Sequence, residues 1–181
     1  MMAGRWLVIG LLAVSLASGC GGDDAGGGPS ATEWADDVCS TITTWSESIR
    51  STADSLRGGN LTEDELRSAV DDFESATSDF VDDLRGLGEP DTEAGDKAKE
   101  SLDQLSRNVE ENVSKMKRTV DDASGVSGIV EAAAAVSASL SAMGEQLSST
   151  FAELEQLDPA GELERAFSDA DSCDKLESGG S

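Results

Sequence analysis

Three cysteines, Cys20, Cys39 and Cys173, are the residues of this chain whose types and spacing carry chemistry. A thiol can be acylated, bridged, bound to a metal or used as a nucleophile. A zinc site is disfavoured, because there is no histidine and no Cys-x-x-Cys pair. Serine- or cysteine-based catalysis lacks its usual base for the same reason, and no tyrosine is present either. The other reactive groups are 37 carboxylates. Their doublets Asp36-Asp37, Asp71-Asp72, Asp82-Asp83 and Asp121-Asp122 invite a calcium site. On a helix, however, adjacent residues point about 100° apart, and no Asp-x-Asp-x-Asp-Gly loop occurs. A diffuse acidic face that attracts cations weakly is the expectation, with no metal site, no cofactor and no enzymatic activity.

The surroundings of Cys20 are distinctive. Met1 to Arg5 carries one positive charge, and Trp6 to Leu16 is an almost wholly apolar run. Small residues Ala17-Ser18-Gly19 then lead into Cys20. This is the anatomy of an export signal. The run spans roughly 16 Å as a helix, against a hydrocarbon core of about 30 Å, so a permanent membrane span is the weaker reading. Ala17-x-Gly19 would also suit an ordinary signal peptidase. Leu16-Ala17-Ser18-Gly19-Cys20 resembles the lipobox of bacterial lipoproteins, with Ala17 where leucine is usual. That resemblance implies cleavage before Cys20, diacylation of its thiol, and attachment to the outer face of the cell membrane. Cysteine parity agrees: acylating Cys20 leaves Cys39 and Cys173 as an even pair in an oxidising compartment.

Residues 20–30 form a Gly/Asp-rich tether without a large apolar side chain, followed by one domain over residues 31–176 and a short tail over 177–181. Thirteen basic residues against 37 acidic ones give a net charge of −24. A nucleic-acid partner is excluded by that balance, since it requires a basic footprint. Direct adhesion to an anionic lipid surface is opposed by the same field. Low aliphatic content with high net charge is also the signature of disorder. Pattern overrides composition here, because the large apolar residues recur at helical spacing.

Four long helices and a short fifth are predicted. The first opens at the capping box Ser30-Ala31-Thr32-Glu33, carries Trp34, Val38, Ile42, Trp45, Ile49 and Leu56 inward, and ends at Gly58-Gly59. The second opens at Thr62-Glu63-Asp64-Glu65, with Leu66, Val70, Phe73, Thr77, Phe80, Leu84 and Leu87 inward. A third is expected from about Asp91 to Ala123 through Ala98, Leu102, Leu105, Val109, Val113, Met116 and Val120, with Asn112 beside its stripe. The fourth, about Ser127 to Leu157, presents Ile129, Ala133, Val136, Leu140, Met143, Leu147, Phe151, Leu154 and Leu157. Its Ala/Ser-rich portion from Glu131 to Met143 reads as too short and too weakly apolar for a membrane span. Asp158-Pro159 supplies a cap and a first-turn proline, starting a short fifth helix through Leu163, Phe167, Ala170 and Cys173. Most basic residues follow an acid by three or four positions, as in Glu63/Arg67, Glu93/Lys97, Asp103/Arg107 and Glu111/Lys115, and helix four has none.

The fold class is therefore all-α, an antiparallel bundle of four long helices plus a short C-terminal helix. In that topology the fifth helix starts beside the first, which makes a Cys39–Cys173 bridge geometrically reasonable. Trp34 and Trp45, three turns apart, share a face and are expected in the core. Signal, tether, a bias to Ala, Asp and Arg, and Trp34…Val38-Cys39…Trp45 with a late Cys173 resemble small exported helical lipoproteins of actinobacteria. The expected role is a helical interaction or structural module of the envelope, tethered at Cys20 and binding an envelope protein through a bundle face or groove. The alternative is a binding protein for a small ligand or cation.

Overall fold

A computed structural model describes residues 28–57, 61–158 and 160–174. The expected signal, Cys20, most of the tether, Gly58-Gly59, Pro159 and the tail lie outside the described residues.

The two capping boxes read from sequence are formed. Ser30 Oγ accepts the Glu33 amide at 3.3 Å and Thr62 Oγ1 accepts that of Glu65 at 3.2 Å, while each glutamate accepts the cap residue's own N–H. They open α1 (Ala31–Leu56) and α2 (Glu63–Gly86). α3 (Gly95–Asp121), α4 (Gly125–Leu157) and α5 (Glu162–Asp169) follow. No strand occurs among the described residues. The four long helices alternate in direction around one core, and every predicted inward residue of α2 and α3 named above is buried except Leu87, which is half-buried. Val81 and Ala132 join that core although they flank the predicted stripes.

α3 begins four residues later than its periodicity suggests. Pro90 to Ala94 form a turn instead, with the Thr92 N–H donated to the Pro90 carbonyl at 2.8 Å and the Gly95 N–H to Thr92 at 3.1 Å. Gly95 is required there: a Cβ would stand 2.3 Å from the Pro90 oxygen. The displaced start costs Glu93 its helical register with Lys97, and the expected Glu93/Lys97 and Asp103/Arg107 pairs are replaced. Lys99 pairs with Asp103, and Arg107 donates to Gln104 at 2.9 Å. Glu63/Arg67 and Glu111/Lys115 form as expected, at 2.6 and 2.9 Å.

The last helix also differs from expectation. α5 stops at Asp169, Ala170 is extended, and Cys173 sits on a separate helical turn over 171–174. Tertiary contacts make that break: Ala170 packs into a small cluster with Ala35 and Ala166, and the Ser172 N–H is donated to Asp36 Oδ1 at 2.9 Å. Asp158 acts as a cap from outside the helix, its buried carboxylate accepting the N–H groups of Ala160 and Leu163.

Two tryptophans organise the interior. Trp45 stacks on Phe80 with centroids 4.3 Å apart, and its indole N–H is donated to Thr77. Trp34 donates to the Gly88 carbonyl at 3.3 Å and meets Phe167 edge-on, linking α1 to the α2–α3 loop and to α5. Nearby, the Asp91 N–H is donated to the Pro29 carbonyl at 3.0 Å, and a Cβ on Gly28 would stand 2.0 Å from the Glu89 oxygen. The described chain therefore enters at one end of the bundle, its base, where α1 starts, α2 ends and α4 meets α5.

Candidate functional site

The cysteine pair is brought together as topology required. Cys39, buried in the third turn of α1, and Cys173, half-buried on the 171–174 turn, stand at disulfide distance, 2.02 Å between sulfurs and 5.0 Å between Cα atoms. The alanine cluster beside them lets the two backbones approach: Ala35, Ala166 and Ala170 offer no side chain to hold α1 and α5 apart. The third cysteine, Cys20, lies outside the described residues.

A cleft of about 870 Å³ opens beside the bridge, between the start of α1 and the 169–172 segment. Glu33, Asp36, Asp37, Asp169 and Asp171 line it, with Thr32 and Pro29. Two of these carboxylates are already engaged, Glu33 in the α1 capping box and Asp36 on Ser172. Hydrogen bonds from the Ser30 side chain and backbone hold the Glu33 carboxyl below its ordinary pKa. Among the described residues no three His, Cys, Asp or Glu side chains gather as they would around one metal ion. Neither the acidic doublets nor this cleft supplies such a group. A second groove, of about 470 Å³ between α3 and α4, is lined by polar side chains including Gln104, Asn108, Gln146 and Thr150. Asn112, the candidate register residue, is half-buried on α3.

Charge divides the surface unevenly. The α2–α3 seam is laced with ion pairs: Arg85 meets Glu110 at 2.8 Å, and Lys117 reaches both Asp71 and Glu74. The hydrogen bond to Glu74, then that to Asp71, raises the Lys117 pKa above its ordinary value. α4 has no basic residue, and between Gly125 and Gly144 its one charge is Glu131. It also carries the most exposed large aliphatic side chains of the described residues, Val126 at 82% and Val130 at 63%.

This helix corrects one expectation. Gly125 to Leu154 is 30 residues whose most apolar 18-residue window has a mean hydropathy of 1.5, long and apolar enough by length and composition to cross a membrane. The Ala/Ser portion from Glu131 to Met143 is shorter than this window, because the helix extends N-terminally to take in Val126, Ile129 and Val130. Its inward stripe of Val136, Leu140, Met143, Leu147 and Leu154 belongs to the bundle core. Yet only 22% of its most apolar window is buried, since α4 packs mainly on α3 and far less on α1 and α2. How much of the outward face stays uncovered was not identifiable from sequence, because that depends on which helices stand beside α4.

Compared with models of known protein families, with characterised proteins and with solved structures, the chain matches none.

Proposed function

We propose that this chain is a lipid-anchored, extracytoplasmic module of the bacterial cell envelope that binds another protein through one exposed helix face. The observation that carries the reading is the outward face of α4. It holds Val126 and Val130 at 82% and 63% exposure in a molecule whose other surfaces are dominated by carboxylates. An uncharged strip of this kind suits contact with a second helix, where charges would have to be stripped of water. The lipobox-like Leu16-Ala17-Ser18-Gly19-Cys20 supports the anchor. The tether would lead to the base of the bundle, at Gly28 and Pro29, and Val126 lies at the opposite end of α4's antiparallel run. An anchored bundle standing on its base would thus hold the strip away from lipid.

Binding of a small ligand or cation would use the acidic cleft, but its carboxylates do not converge on one point. The module reading is tested by mass spectrometry of the membrane-extracted protein. The expected result is a mature chain beginning at a diacylated Cys20, lost to the soluble fraction in Cys20→Ser. An unmodified Cys20, or a chain starting elsewhere, removes the anchor from the reading.

A further inference from the structure

We infer that the Cys39–Cys173 bridge is open to thiol exchange at one sulfur only, Cys173, and that it admits a thiol carried beside positive charge while repelling anionic thiols. Cys39 is sealed in α1 at 1% exposure, whereas Cys173 is half-buried on the last described turn. A thiolate attacks one sulfur of a disulfide from the side opposite the other, so entry lies at Cys173 and Cys39 is the leaving group.

The exchange runs in two steps. The attacking thiolate bonds to Cys173 Sγ as the bond to Cys39 breaks, and Cys39 departs as a thiolate that takes a proton from water. A second thiolate attacks the reagent's own sulfur in this mixed disulfide and releases Cys173 in the same way. Two thiols thereby become one disulfide, and the protein bridge becomes two thiols.

Charge selects the thiol. Asp36 and Asp37 stand three and two residues before Cys39, and Asp169, Asp171 and Asp174 flank Cys173. All are exposed except Asp36, which is half-buried and accepts the Ser172 N–H at the turn itself. Bases are few here. α1 has none before Arg50, eleven residues beyond Cys39 and about 16 Å along the helix. Arg165 is turned back onto the Ala160 and Gly161 carbonyls, at 3.3 and 2.8 Å. Lys175, outside the described residues, sets one positive charge against five carboxylates. The attacking sulfur is itself negative, and so the field of these groups opposes its approach. An ammonium beside that sulfur cancels its charge, and a carboxylate there doubles it. The protein partner that fits is one presenting its thiol among lysines or arginines.

The test reduces the folded full chain with cysteamine, 2-mercaptoethanol and mercaptoacetate, whose thiolates are zwitterionic, singly negative and doubly negative. Each rate is divided by that of the same thiol on an uncharged dialkyl disulfide, which removes intrinsic reactivity. Thiols are trapped with N-ethylmaleimide in denaturant and quantified in the peptides carrying Cys39 and Cys173. At about 0.01 M salt, cysteamine should exceed mercaptoacetate by about tenfold or more, with 2-mercaptoethanol between them, and the ratio should fall to about twofold at about 1 M. Asp169→Asn with Asp171→Asn lowers the low-salt ratio by about threefold. Asp64→Asn with Asp72→Asn, on α2, which does not touch α5, leaves it unchanged. Circular dichroism verifies that both variants fold, and the salt series on the parent tests the inference without them. A ratio near one, a ratio indifferent to salt, or equal responses of the two double variants overturns it. A mixed disulfide trapped on Cys39 overturns the point of entry, and free thiols at Cys39 and Cys173 before any reductant is added remove the bridge itself.

Discussion

Trp45 donates its indole N–H to the hydroxyl of Thr77 over 3.1 Å, and both side chains are all but sealed from water, at 1% and 2% exposure. A threonine in the apolar stripe of α2 is thereby explained: it is the acceptor that allows a tryptophan to occupy the centre of the bundle. Phe80 and Phe73 stack against the same ring and hold it in place.

Thr77→Val keeps the shape of the side chain and removes the acceptor. The buried N–H is then left without a partner, at a cost of about 1–3 kcal/mol. Thr77→Ser retains the hydroxyl and should cost less. Urea unfolding followed by tryptophan fluorescence separates the two, and equal midpoints for Thr77→Val and the parent would rule out the role assigned to this bond.

Cys173→Ser opens the link between α1 and the 171–174 turn across a separation of 134 residues. The expected loss of stability is about 2–4 kcal/mol, chiefly through the freed unfolded chain. Locally, α5 should open first, because α1 is its main support and the alanines there bury little area. Hydrogen exchange checks this. Amides of residues 162–174 should lose more protection than those of α2 and α3, and uniform loss would show that the bridge acts globally.

The caps make a pH prediction. Hydrogen bonds from Ser30 and Thr62 hold the carboxyls of Glu33 and Glu65 below their ordinary value of 4.5. A carboxyl depressed in the folded state contributes stability that is present above its unfolded pKa and lost as pH falls through its folded one. Glu33→Gln retains a side-chain acceptor but not the charge. The parent should therefore exceed this variant in melting temperature at pH 7, and the gap should close as pH falls below 4.5. A gap of constant size across that range would mean the charge of Glu33 does not matter to the cap.

Much of this architecture was legible one residue at a time. Leu66, Val70, Phe73, Phe80 and Leu84 announce one face of α2 because a helix returns to the same side every three or four residues. The Cys39–Cys173 pair followed from parity and antiparallel topology. Less legible were the turn at Pro90 to Ala94 and the break at Ala170. Each depends on partners distant in sequence, Pro29 in the first case and Ala35 and Asp36 in the second. The inward side of α4 was legible from Val136, Leu140, Met143, Leu147 and Leu154, but how little of the rest would be covered was not, because that depends on which helices pack beside it.

The sequence by itself determined the helical class, the two capping boxes, the acidic surface and the inward stripes. These rest on local hydrogen bonds and on periodicity, which act within a few residues. Only the tertiary structure decided that α4 sits mainly against α3 with Val126 and Val130 left in solvent, and that the last helix breaks at Ala170 where it meets Ala35 and Asp36. Exposure and breaks imposed by distant contacts are set by which helices stand beside one another, and no single helix carries that information.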